Sequence, residues 1–197
     1  DSAGFYDWEW TSCTGGKTFR SVSTTLDGNY MAMAGLNSQE FTLVKFDVAG
    51  TVLWAKKYAP ATTPFEMVEM EAVPGGGYVV LGRGFSTPRV VVTRVDENGD
   101  VLWTKRYGSI WTRAKGISVS AAGEVFVAGD VFDQGQADTT SGAQTTDAMV
   151  TKLASDGSHV WTTIIGTSIN DSFEGVAATS NGGAVMAGNR VTGGNSR

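Results

Sequence analysis

A glycine followed four residues later by a tryptophan occurs at four places in this chain: Gly4 and Trp8, Gly50 and Trp54, Gly99 and Trp103, Gly157 and Trp161. Lys45, Arg94 and Lys152 each lie five residues before the glycine in three of those copies. Walking forward from each Trp, an apolar run closes on Gly35, Gly82, Gly129 or Gly188, at separations of 27, 28, 26 and 27. A turn precedes each run, at 27–28, 75–77, 122–123 and 181–183. Before each turn lies a third patterned segment, marked by Phe19 and Val22, Phe65 and Val68, Ala114 and Ile117, Phe173 and Val176. A fixed frame met four times means one supersecondary unit copied along the chain.

The Trp-to-Trp separations are 46, 49 and 58. The excess in the last one falls in a single connection, 130–147, which reads as an insertion loop on a conserved scaffold. Each unit contains four short segments rich in Val, Phe, Tyr, Trp and Thr, bounded by Gly, Asn and Asp turns, so the segments read as antiparallel strands. Runs such as VVVTRV and YVVLG are apolar on both alternate faces. A lone four-stranded sheet of that kind does not stand in water; fanning the sheets about an axis covers both faces. The expected fold is therefore all-β: a β-propeller of four-stranded antiparallel blades with about four repeats, occupying 1–197 as one propeller or partial propeller. A β-sandwich has no need of the repeated spacings, and β-helix coils are shorter, roughly 20–30 residues. The first copy lacks its basic strand, giving about 15 strands, and this phase favours a piece of a larger ring.

Composition narrows the function. Apolar residues make up 41%, enough for a real core, and the net charge of −5 argues against a non-specific nucleic-acid binder and gives no reason to expect adsorption to anionic lipid. No apolar run approaches the roughly 20 residues that span a bilayer, so direct membrane insertion is not expected. Cys13 is the only cysteine and forms no internal disulfide.

The fourth unit, DAMVTKLASDGSHVWTTIIGTSINDSFEGVAATSNGGAVMAGNRV, resembles the repeat of secreted and cell-surface β-propellers of bacteria and protists. Their pattern runs Lys-Leu-Asp, turn Gly, Trp, Asp-Gly-Gly, Ala-Gly; here Asn181 replaces the Asp. The resemblance implies an extracellular or cell-surface protein, often without catalysis, serving as a structural or protein-interaction module. Its partners would be other proteins of a surface assembly, or a glycan. Quinone-cofactor dehydrogenases share a Trp-bearing propeller, but no cofactor constellation is found here to carry over, and none is expected.

Individual residues offer alternatives. The four repeated Trp read as blade-packing residues, whereas Trp10 and Trp111 break the pattern and are the candidates for ligand or partner contact, with Asp133 and Asp138. A carbohydrate-binding module would use Trp10 or Trp111. The recurrent cations read as long stems on apolar surface with the charge at the edge. The stretch from Asp96 to Asp100 imitates a calcium loop, but its twelfth position is Tyr107, so it reads as a hairpin. Calcium is the one metal invited by the oxygen-rich insertion, through Asp130, Asp133, Asp138 and Asp147. Glu69 and Glu71 would share a strand face; a polysaccharide-acting glycosidase or lyase would use such a pair, and the plainer reading is solvent-facing charge. His159 occupies a structural slot after a turn. Asn170 begins a glycosylation sequon.

Overall fold

The structure, a computed structural model, describes residues 18–37, 40–58, 65–85, 89–108, 112–137, 144–166 and 170–190; of 18, 36, 37, 133–137 and 144 it describes the backbone only. Among these residues there are fourteen strands and no helix. Three four-stranded antiparallel sheets follow one another along the chain. Blade one comprises β1 (Thr18–Thr24), β2 (Tyr30–Asn37), β3 (Glu40–Phe46) and β4 (Val52–Tyr58). Blade two comprises β5 (Phe65–Ala72), β6 (Tyr78–Gly84), β7 (Val90–Val95) and β8 (Val101–Tyr107). Blade three comprises β9 (Thr112–Val119), β10 (Val125–Ala137), β11 (Gln144–Leu153) and β12 (His159–Ile165). The inner pair of a fourth blade is β13 (Asp171–Ala178) and β14 (Ala184–Arg190). The repeat is a propeller blade, as its spacing predicts, and each Trp strand closes a blade at its outer edge.

The first strands of successive blades pack on one another, β1 on β5, β5 on β9 and β9 on β13, and so line the axis. Apolar faces meet between the sheets. Met31, Met33, Phe41 and Leu43 of blade one pack with Phe65, Met67, Met70 and Val80 of blade two. Val79, Leu81 and Val92 of blade two pack with Ile117, Val125, Val127 and Leu153 of blade three. This is why the strands are apolar on both sides: each sheet has a neighbour on each face.

All seven described hairpin turns share one hydrogen-bond frame, illustrated by Asp96 N–H donating to Asp100 O at 2.9 Å and Gly99 N–H to Asp96 O at 3.0 Å. The residue before the last of each frame is a glycine with φ between 78° and 115°, the left-handed position that such turns demand. In the turn at 96–100 the Asp96 carboxylate also accepts from Asn98 and Asp100 N–H at 2.9 and 2.7 Å. The hairpin reading of that stretch holds.

The connection 130–147 departs from its expectation as a loop. Its two ends, 130–137 and 144–147, are strand: Asp130 pairs with Ala148, Val131 with Asp147 and Phe132 with Thr146. The extra residues lengthen the β10–β11 hairpin, and residues 138–143 lie outside the described residues.

Candidate blade seams and outer edge

Outer strands grip the next blade. Trp54, Lys56 and Tyr58 project from β4 toward the β7–β8 turn, where a Cβ on Gly99 would stand 2.8 Å from Trp54 Cη2 and 2.7 Å from Tyr58 Oη. Tyr58 donates its hydroxyl to Gly99 O at 2.5 Å, and Lys56 Nζ donates to Asp100 Oδ1 at 2.7 Å. Blade two repeats the grip on blade three. Tyr107 donates to Gly157 O, Trp103 Nε1 donates to Ser155 O at 3.2 Å, and the Trp103 ring covers Gly157. Burial, and then nearby carboxylates, push both phenols up to about 12, so they remain donors. The signal was present in sequence as Trp-x-Lys-x-Tyr at 54–58 and 103–107; what it grips is not.

Blade three differs. Its corresponding positions are Trp161, Thr163 and Ile165, and every residue of β12 is exposed. Trp161 is 38% and Ile165 53% exposed, so the expectation of a packed Trp holds for Trp54 and Trp103 and not for Trp161. The reason is geometric: an outer-strand Trp is covered by the following blade's second hairpin, and the fourth blade has only β13 and β14 among the described residues. Trp8 lies outside those residues.

The recurrent cations fasten turns. Lys45, itself buried, donates to Asp27 Oδ2 at 2.7 Å and stands 4.0 Å from Glu97 of blade two. Bonds from Lys45, then Thr25, hold the Asp27 carboxyl well below the usual carboxylate range. Arg94 donates to Gly76 O. Lys152 pairs with Glu124 at 2.8 Å and reaches Gly182 O of the fourth blade at 3.2 Å.

Near the axis the charges pair across blades. Arg20 of blade one approaches Glu66 of blade two at 3.6 Å, and Arg83 holds the same carboxylate at 2.5 Å. Lys115 of blade three donates to Ser172 at 2.6 Å and to Glu174 at 2.5 Å, both on β13. The Lys115 bond, first among several causes, lowers the Glu174 carboxyl below its ordinary range. Glu69 and Glu71 share a face, as expected, but they are not solvent-facing. Both are half-buried against blade three, Glu69 accepting from Ile117 N–H at 3.0 Å and Glu71 from the Ser118 hydroxyl at 3.3 Å. Burial is the main cause that raises the Glu71 carboxyl.

Two of the proposed calcium ligands, Asp130 and Asp147, can be compared, and they do not converge. Asp130 is fully buried, with Arg113 Nε at 2.7 Å and Lys115 Nζ at 3.1 Å, so two cations already occupy it. Opposed residues of an antiparallel pair share a face and neighbours alternate, so Asp130, opposite Ala148, and Asp147, opposite Val131, point to opposite faces. Among the described residues no group of three or more His, Cys, Asp or Glu could hold a metal. Asp133 is placed on β10 by its backbone, and its side chain is outside the description; Asp138, Trp10, Trp111 and Cys13 lie outside the described residues. Asn170 is exposed, and its Oδ1 accepts from Thr146 N–H at 2.9 Å. His159 is exposed and bonds Thr162 Oγ1 through Nε2 at 2.9 Å.

No protein-family profile matches the chain, and no curated protein matches it. Solved structures do. A protein of unknown function from Bacteroides caccae is 18% identical with a TM-score of 0.56, over 91% of this chain and 56% of its own. An ACO/RPE65 chimera is 12% identical with a TM-score of 0.53, over 92% and 46%. Cobalt-substituted ACO from Synechocystis is 12% identical with a TM-score of 0.51, over 88% and 45%. The chain spans about half the length of these structures, and the likeness is one of fold.

Proposed function

We propose that the chain is a non-enzymatic β-propeller module of an extracellular or cell-surface protein, and that it makes protein–protein contacts through its outer rim. The observation that carries this reading is β12, an outer edge strand with Trp161 and Ile165 exposed on one face, where the fourth blade presents only β13 and β14 among the described residues. In blades one and two the corresponding Trp and Tyr are covered by the following blade. An exposed face with large apolar side chains on an edge strand, with backbone groups still able to pair, is the surface that a partner strand or hairpin recognises. The extracellular setting rests on the resemblance of the repeat to surface propellers.

The seam geometry also weighs against the glycosidase or lyase alternative, because Glu69 and Glu71 are bonded to β9 instead of lining an open cleft. The carbohydrate-binding alternative rests on Trp10 and Trp111.

Sedimentation velocity on the purified chain tests the proposal. Association with itself or with an added surface partner is expected, weakened at least about tenfold by Ile165→Lys, since a charge buried without a partner costs more than the roughly 1.4 kcal/mol that a factor of ten represents. Hydrolysis of a polysaccharide that Glu69→Gln abolishes would replace this reading with the enzymatic one.

A further inference from the structure

The two complete blade seams can be compared position by position, because strand pairing fixes the equivalence. Phe41 sits opposite Tyr58 in blade one, and Val90 sits opposite Tyr107 in blade two. Phe65 opens β5 opposite Gly84, and Thr112 opens β9 opposite Val131. In the first seam the Phe41 ring stacks on Tyr58, with centroids 4.6 Å apart and planes at 12°, and meets Phe65 edge-on at 5.8 Å. In the second seam Val90 and Thr112 stand where the two phenyl rings stood.

The consequence is a cavity of about 320 Å³ between blades two and three. Val127, Met149, Leu153 and Ile164 form its apolar walls, together with Val90 and the Tyr107 ring. His159 and Thr162 stand at its outer edge, where both are exposed and bonded to each other. A concave, largely apolar site with a few polar groups at one end, at the lower end of the usual range of roughly 300–1,000 Å³, is the form that small-molecule sites take. Apolar cavities left by missing side chains stay dry and accept aromatic rings.

We propose that this seam binds a small planar aromatic molecule carrying one hydroxyl or ring N–H group. The ring lies against Tyr107 as Phe41 lies against Tyr58, and the polar group reaches the His159–Thr162 pair. The first seam supplies the argument for the occupant: the same fold, at the same place, is filled there by aromatic rings. The hydrogen-bonding pair at the edge selects a phenol or indole over a bare hydrocarbon. This proposal is independent of the contact surface above, since Trp161 and Ile165 point to the other face of β12, toward the fourth blade.

Titration calorimetry on the full chain with 4-methylphenol, indole and toluene tests it. Saturable binding of the first two is expected. Val90→Phe and, separately, Thr112→Phe should weaken it at least tenfold while leaving the chain folded, because each restores a ring of the first seam. His159→Ala should weaken 4-methylphenol by roughly fivefold, the loss of one hydrogen bond, and leave toluene unchanged. Three results would overturn the proposal: no saturable binding, binding indifferent to both ring-restoring variants, or binding that appears only in Trp111→Ala. The last would mean that this chain's own Trp111, next to Thr112 in sequence, supplies the ring.

Discussion

Gly129 and Gly188 look interchangeable with Gly35 in sequence, yet they answer to different forces. Each first strand carries a bulge in its pairing with the second strand. In blade three the bulge lies between Ala114 and Gly116, and the Arg113 carbonyl oxygen stands 1.9 Å from where a Cβ on Gly129 would sit. In the fourth blade Ser172 O stands 2.0 Å from the same point on Gly188. A backbone oxygen cannot turn aside as a side chain can, so only glycine fits. In blade one the register shift falls one pairing away, and a Cβ on Gly35 would meet only Met67 Cγ at 3.8 Å. Gly129→Ala is therefore expected to cost about 3 kcal/mol or more, the upper end of overpacking, whereas Gly35→Ala should stay within about 1 kcal/mol. Urea denaturation of the two variants separates them. Equal losses would mean that the Ala-Gly frame reflects strand propensity and not the bulge.

At the scale of strands and hairpins, much was legible and the failures have a common cause. Strands, turns and the blade repeat follow from local chemistry: positive-φ glycines in the turns and apolar residues on both strand faces. The stretch 130–147 reads as a loop because its Asp and Gly residues disfavour strand on their own. Its ends become strand because β10 and β11 already run antiparallel and the ladder simply continues. Glu69 and Glu71 read as surface charge, and Asp130 as a calcium ligand, because their partners, Ile117, Ser118, Arg113 and Lys115, are placed by another blade or a neighbouring strand. The grip between blades belongs to this scale too. Removing the Tyr107 hydroxyl leaves the O of the buried Gly157 without that donor. Tyr107→Phe should destabilise by about 1–3 kcal/mol, the cost of an unmet buried acceptor, and Tyr58→Phe should match it through Gly99. A Phe variant as stable as the parent would show that the rings, and not the hydroxyls, make the grip.

Over the whole molecule, cohesion comes from seams, and the second seam contains a carboxyl that works against it at neutral pH. Glu71 faces blade three, where it accepts from Ser118 and from the Val119 N–H, but burial outweighs both bonds and Glu69 adds a like charge. Its proton is therefore held more tightly in the folded chain than in the unfolded one, whose value is near 4.5. The sign follows from linkage: where the folded state binds more protons, stability falls as pH rises. The fall begins near the unfolded value, ends above the raised folded value, and leaves a constant deficit at higher pH. Gln at this position keeps an acceptor for Ser118 and Val119 and removes the charge. Glu71→Gln should thus melt higher than the parent at pH 7, and the difference should shrink toward zero as the pH is lowered through 4.5, where the parent carboxyl is neutral in both states. Asp27 titrates in the opposite sense. Its depressed carboxyl, bonded to Lys45, supports the fold fully above its unfolded value of 3.8 and loses that support as the pH falls below it, so its contribution is complete before that of Glu71 begins to decline. Thermal melts of Glu71→Gln and Asp27→Asn from pH 3 to pH 7 should consequently diverge from the parent in opposite directions at neutral pH. If both variants shifted the melting temperature the same way at pH 7, charge burial would not be what distinguishes a seam carboxylate from a turn carboxylate in this propeller.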